Sequence, residues 1–351
     1  MPTYVITGCS GGIGLGLVRA LAARGDKVYA TVRKRETTAT GEDLISKVPG
    51  DVTILEGIDV TSDDVGAKLS TALDGVKVDV IVHNAGGIAN RDGPDAPKGM
   101  DAFADGGGGP MGAKVDNLKN VTVERMLAAF QVNTIGPLRV QQALTDKMGE
   151  GGKVLIISSG MGSITDNGSG GLYAYRTAKA AVNMVMRNMS LGTSTASEPV
   201  PFPSSSEPGS IRPIQAPYAP KGRTNPVLAD LKDSGIAVMS VNPGMVLTDF
   251  GPGAEMMGKF GSMPVEDSVS QLLEIFDSAC CMENTGAPHA DPRGGADLPP
   301  SPPHPHPLTL TSHLSRSPSR SHPPSPITHS LSGKFWTVKK GEGPKEFPGG
   351  F

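Results

Sequence analysis

Short apolar runs and longer amphipathic ones alternate from the start of the chain: Tyr4 to Ile6, then Ile13 to Ala23, then Val28 to Val32. Brief aliphatic runs bounded by glycine or polar residues read as buried strands, and longer stretches with apolar residues every three or four positions read as helices. The same pattern predicts strands over Val52 to Leu55, Val78 to Val82, Val154 to Ile157, Ile236 to Val241 and Phe335 to Val338. It predicts helices over Val121 to Leu144, interrupted near Gly136-Pro137, and over Ala174 to Leu191. Ala178, Ala181, Val182, Val185, Met186 and Met189 supply the apolar face of the last. Strands separated by helical crossovers specify an α/β fold, here a doubly wound, mostly parallel sheet of seven strands.

Two segments break the rhythm. Ser194 to Pro226 and Pro288 to Pro326 together hold 20 of the 31 prolines, and six of the seven histidines lie in 287–332. Proline at this density removes backbone donors, and the accompanying Ser and His offer little to bury, so both segments are expected to be disordered insertions. One domain of residues 1–286 with 333–351 is therefore predicted, carrying a Pro/Ser-rich insertion at 194–226 and a Pro/Ser/His-rich one at 287–332. Gly286 and Gly333 can be joined without losing any predicted element, the pattern of untranslated sequence retained in a reading frame. His304 and His306 lack Cys, Asp or Glu neighbours suited to a metal site, so no metal is expected. Gly86 to Asn117, with four successive glycines, reads as a mobile surface loop.

A net charge of -3 leaves no broad cationic surface for nucleic acid or an anionic membrane. The three cysteines, Cys9, Cys280 and Cys281, form neither a disulfide framework nor a zinc spacing. No apolar run approaches the length of a membrane span, and the first strand begins too early to leave room for a leader. A soluble, cytoplasmic protein is expected.

Thr7-Gly8-Cys9-Ser10-Gly11-Gly12-Ile13-Gly14 follows the first strand and leads into a helix. Such a turn suits a dinucleotide: a tight bend at Gly8, backbone approach to a pyrophosphate at Gly12, close helix packing at Gly14, and free N–H groups at the helix start. The next strand ends in Arg33-Lys34, where an acidic residue would bind a ribose and a guanidinium a 2'-phosphate. Arg33, helped by Lys34 and Ser10, points to NADP(H) in preference to NAD(H). Tyr175 and Lys179 are one helical turn apart, so their polar ends can address one point, and the ammonium is expected to lower the phenol pKa. Ser158 and Ser159 follow a strand at the sheet edge where α/β folds bind ligands, and either hydroxyl could orient a carbonyl oxygen.

Together these motifs resemble the short-chain dehydrogenase/reductase family, with a Rossmann-type domain, and finer wording such as Gly162-Ser163-Ile164 is similar to C-factor and sniffer-like carbonyl reductases. The resemblance adds Asn84-Ala85-Gly86 and Asp59-Val60 on the cofactor, Asn133 holding a water in a proton relay, and Pro243-Gly244 with Val246 and Thr248 near the nicotinamide. It makes Ser159 the oxygen-orienting serine, Tyr175 the acid/base and Lys179 also a ribose ligand. It implies hydride transfer between NADP(H) and a small carbonyl or alcohol, and a homodimer or homotetramer paired through the helices that carry Asn133 and Tyr175. The spacing from Ser159 to Tyr175 is a little longer than usual in the family, which keeps Ser158 open, and His83 replaces a frequent Asn. A catalytically idle NADP(H)-binding redox sensor or interaction protein is the competing reading, though such a protein has no need of Asn133, a serine, Tyr175 and Lys179 together.

Overall fold

The computed structural model describes residues 1–36, 41–87, 118–119, 121–191, 231, 234–248, 258 and 261–278, with the backbone of 335–339 and 342–346. All belong to one compact unit, Met1–Cys281 with Ser330–Phe351; the second unit, Met282–His329, lies outside the described residues. So do residues 88–117, within the stretch expected to be a surface loop, and the Pro-rich stretch 194–226.

Strands β1 (Thr3–Thr7), β2 (Lys27–Val32), β3 (Val52–Glu56), β4 (Val80–His83), β5 (Lys153–Ile157), β6 (Ala237–Asn242), β7 (Phe335–Lys339) and β8 (Glu342–Glu346) form one sheet. Their order is β3-β2-β1-β4-β5-β6-β7-β8. The first seven pair in parallel, as the sequence pattern predicts, and β8 adds an antiparallel edge beside β7. The order reverses between β1 and β4, and the crevice at their carboxyl ends is where such sheets take ligands.

Helices α1 (Gly12–Arg24), α2 (Val65–Ala72), α3 (Val123–Phe130), α4 (Gly136–Leu144), α5 (Tyr173–Leu191) and α6 (Val265–Ser278) cover the sheet. Alternate strand positions feed opposite layers, because successive side chains leave opposite faces. Ile6, Val28, Val82, Leu155 and Val241 pack with Leu17 and Leu21 of α1 and with Leu272 and Phe276 of α6. Val5, Tyr29 and Ile81 pack with Leu69 of α2 and Leu144 of α4, and Val154, Ile156 and Val238 with Val182 and Met186 of α5.

The expected break in the long helix before α4 takes another form. The chain stays helical from Val123 to Leu144, but Gln131–Ile135 is one wide π turn, with Gly136 N–H bonded to the Gln131 carbonyl five residues back. Pro137 explains it: a regular helix would bond the residue-137 N–H to the Asn133 carbonyl, and proline has none. Among the described residues, no helix is long and apolar enough to cross a membrane.

Candidate active site

The glycine turn is held from both sides. Gly8 and Cys9 N–H donate to the Thr31 carbonyl at 3.1 and 3.0 Å, and Asn84 Nδ2 donates to the carbonyls of Thr7 and Gly8, both at 2.9 Å. Thr7 Oγ1 accepts from the Asn84 and Ala85 amides at 3.1 and 3.0 Å. Gly8 has φ +74, and a side chain there would come within 2.9 Å of the Ala85 backbone. Gly12, at φ +55, faces Thr248 with ordinary van der Waals room. Gly14 meets expectation differently: its missing side chain makes room for the Gly8 carbonyl and Asn84, whereas the close helix contact falls to Gly16 against Val265 and Val269 of α6. Helix α1 is preceded by Gly11, which offers no side-chain cap, and has no acidic residue in its first turn. Its leading N–H groups and its dipole therefore suit an anion.

Beyond β2, Arg33 and Lys34 are exposed, while Arg35 is tied to Glu56 and Ser46 at 2.8 and 3.2 Å. Asp59 Oδ1 accepts from the Thr61 amide and hydroxyl at 2.8 and 2.7 Å, fixing its turn. Val60 packs against Gly136, where an added Cβ would lie 2.8 Å from it. After β6, Gly244 N–H donates to Asn242 Oδ1 at 3.2 Å, the Ser268 hydroxyl donates to the Pro243 carbonyl at 2.8 Å, and Leu247 N–H donates to the Met263 carbonyl at 2.8 Å. Val246 is buried beside Met263 in a short bridge, which carries Thr248 over Gly12.

Tyr175 and Lys179 lie buried at the carboxyl end of β5. The Lys179 ammonium donates to the Ile157 carbonyl at 2.9 Å and stands 5.7 Å from the centre of the Tyr175 ring. It lies beside Gly86, where a Cβ would come within 3.4 Å of Nζ and 3.0 Å of Asn133 Oδ1. Asn133, 1% exposed in the π turn, donates to the Gly87 and Ala129 carbonyls at 2.7 and 2.9 Å and accepts from Gly87 N–H at 3.1 Å. Two of these three bonds clamp the segment after β4.

The two serines separate clearly. Ser158 turns into the sheet–helix layer and donates to Asn183 Oδ1 at 2.6 Å, whereas the Ser159 hydroxyl is hydrogen-bonded to the Tyr175 phenol. The expected lowering of the phenol pKa by Lys179 is not what this geometry gives. Burial pushes Tyr175 up to about 12, with the Ser159 bond opposing it, and burial brings Lys179 down to about 8. Both shifts follow from desolvation of the charged form.

Thr7, Asn183 and Ser268 are structural participants that spacing alone did not single out. Thr7 had a signal, its place in the glycine motif; the other two act through contacts remote in sequence. His83 is buried against Gln141, 3.1 Å away, and burial holds its pKa down at about 4.

Residues 2–197 match the family model described as short chain dehydrogenase. A 1-hydroxy-2-glutathionyl-2-methyl-3-butene dehydrogenase of Rhodococcus sp. (strain AD45) is 26% identical over 280 residues, spanning 79% of this chain and 92% of the relative. Among solved structures, the carbonyl reductase Sniffer of D. melanogaster is 26% identical with TM-score 0.51, covering 78% of this chain and 90% of that one. A short-chain dehydrogenase/reductase from Burkholderia multivorans with bound NADP shares the fold at 22% identity and TM-score 0.54, covering 79% of this chain and 91% of its own.

Proposed function

Since the chain belongs to the short-chain dehydrogenase family of oxidoreductases, we propose that it reduces an aldehyde or ketone to an alcohol with NADPH, with Tyr175 as the proton donor. The observation that carries this reading is the convergence of Tyr175, Ser159 and Lys179 at the carboxyl end of β5, beside Gly86 and one motif away from the glycine turn.

The residues at the glycine turn fit such a cofactor. Gly12 leaves space in front of an uncapped helix start that has no acidic neighbour, the environment a pyrophosphate needs. Arg33 and Lys34, exposed beyond β2, would meet a 2'-phosphate, and the Burkholderia multivorans protein of the same fold binds NADP. Asp59, Val60, Asn84, Ala85, Pro243, Gly244, Val246 and Thr248 would line the remainder. When bound, NADPH supplies the hydride.

The chain's own residues handle the oxygen. At neutral pH the buried Tyr175 remains a phenol, the form needed to protonate an oxygen as negative charge develops on it. Ser159 Oγ, already bonded to that phenol, would hold the substrate oxygen beside it. The Lys179 ammonium stabilises the phenolate left after transfer, an electrostatic gain made only as the proton moves. Asn133 keeps the segment through Gly87 in place beside Lys179.

The decisive experiment is loss of NADPH absorbance across a panel of aldehydes, ketones and quinones, repeated with Tyr175→Phe. The variant should turn over about 10²- to 10⁴-fold more slowly while binding NADPH as the wild type does. Full activity in that variant would remove Tyr175 from its role, and wild-type cofactor binding without turnover on any carbonyl would favour a redox sensor.

A further inference from the structure

The end of β5 is fastened to α5 at three successive residues. The Ile157 carbonyl accepts from Lys179, the Ser158 hydroxyl donates to Asn183 Oδ1 at 2.6 Å, and the Ser159 hydroxyl meets Tyr175. Tyr175, Lys179 and Asn183 stand four positions apart, so they lie along one side of the helix. The proposed chemistry employs the first and third fastenings and leaves the second unexplained.

Ser158 and Asn183 are 3% and 1% exposed, in the same layer as Val182 and Met186. A Cβ added at Gly162 would come within 2.9 Å of the Lys179 backbone and 3.0 Å of Asn183 Nδ2, so the turn Gly160–Gly162 that follows Ser159 rests directly on this part of α5. Asn183 Nδ2 is buried without a hydrogen-bond partner among the described residues. A half-satisfied amide in an apolar layer is a poor stabiliser, since an aliphatic side chain of similar volume would escape its desolvation. What the amide provides and leucine could not is an acceptor at one fixed point.

We infer that Asn183 is a positioning residue: by holding Ser158 it fixes the adjacent Ser159 in register with Tyr175. This rests on the reading of Tyr175 as the proton donor. The Ser158 N–H bond to the Val241 carbonyl at 2.7 Å and the Met161 N–H bond to Ser159 Oγ at 3.2 Å hold the backbone and the oxygen locally. The Ser158–Asn183 bond is what ties this turn to the part of α5 that carries Tyr175, and without it the Ser159 hydroxyl loses its register with the phenol. Small displacements of this kind are felt strongly in catalysis and weakly in binding.

The test uses Ser158→Ala and Asn183→Leu, singly and together, in the full chain with NADPH and a carbonyl that the wild type reduces. Each single variant should lower kcat roughly ten- to hundredfold while the carbonyl KM and the NADPH Kd stay within about twofold. The double variant should be no slower than the slower single one, because both break the same link. Crystals of Ser158→Ala should show the hydroxyls of Ser159 and Tyr175 out of bonding distance.

Unchanged kcat, or losses that multiply in the double variant, would overturn the inference. Should Asn183→Leu fail to fold, Ser158→Ala decides alone, since it removes one oxygen and no apolar contact. Should the wild type reduce no carbonyl, the functional reading fails, and the crystal geometry still judges the positioning: a retained Ser159–Tyr175 bond in Ser158→Ala refutes it.

Discussion

Burial brings Lys179 down to about 8 and takes Tyr175 up to about 12, so near neutral pH the pair is an ammonium beside a phenol. Carbonyl reduction needs both forms, and the lysine titrates first as pH rises. The kcat for reduction is therefore expected to fall as pH rises through about 8, as measured by NADPH consumption over a pH series. His83 provides a stability counterpart. Its folded pKa of about 4 lies below the ordinary 6.5, so the folded state refuses a proton that the unfolded chain accepts. The resulting stability is present above pH 6.5 and is lost as pH falls toward 4, by at most roughly 3 kcal/mol. Urea unfolding at several pH values should show this acid loss in the wild type and a shallower one in His83→Asn. The proximity of Tyr175 to Lys179 and the tight turn at Gly8 were legible from spacing. The separation of Ser158 from Ser159 was not, because it depends on where a helix residue eight positions beyond Tyr175 lies in space.

The elements form where the pattern predicts them, except where local signals are short. Helix α2 buries only Val65 and Leu69 among its eight residues, too little periodicity to stand out. Helix α6 carries a readable spacing at Val269, Leu272 and Phe276, yet nothing in its sequence says that it packs against Gly16 of α1. Strand β8, Glu342–Glu346, contains glycine, proline and three charged residues and forms only as an edge against β7. Helix α3 is capped by Thr122, whose hydroxyl accepts from Arg125 N–H at 3.3 Å. Thr122→Ala should lower stability by about 1 kcal/mol, read as a drop in Tm, with little change in NADPH binding because the cap lies a full helix away from Asn133.

For the whole molecule, the sheet brings the carboxyl ends of β1 to β6 to one edge, so residues from Gly8 to Thr248 can meet there. Helix α6 ends at Ser278 and β7 begins at Phe335. Deleting 287–332 leaves residues 279–286 and 333–334 to join them, more than the usual connection of about 2–6 residues. The shortened chain is expected to fold and to bind NADPH as the full one does, as calorimetry and fluorescence titration would check; loss of binding would show that the segment belongs to the domain. The chain's local pattern by itself determined the first seven strands, the glycine turn and the pairing of Tyr175 with Lys179, because each depends on neighbours within one or two turns of backbone. Only the tertiary structure decided which serine faces the phenol, that burial outweighs the Ser159 bond in setting its pKa, and that Asn133 clamps Gly87. Those outcomes depend on solvent exclusion and on contacts between segments distant in sequence, which no local pattern encodes.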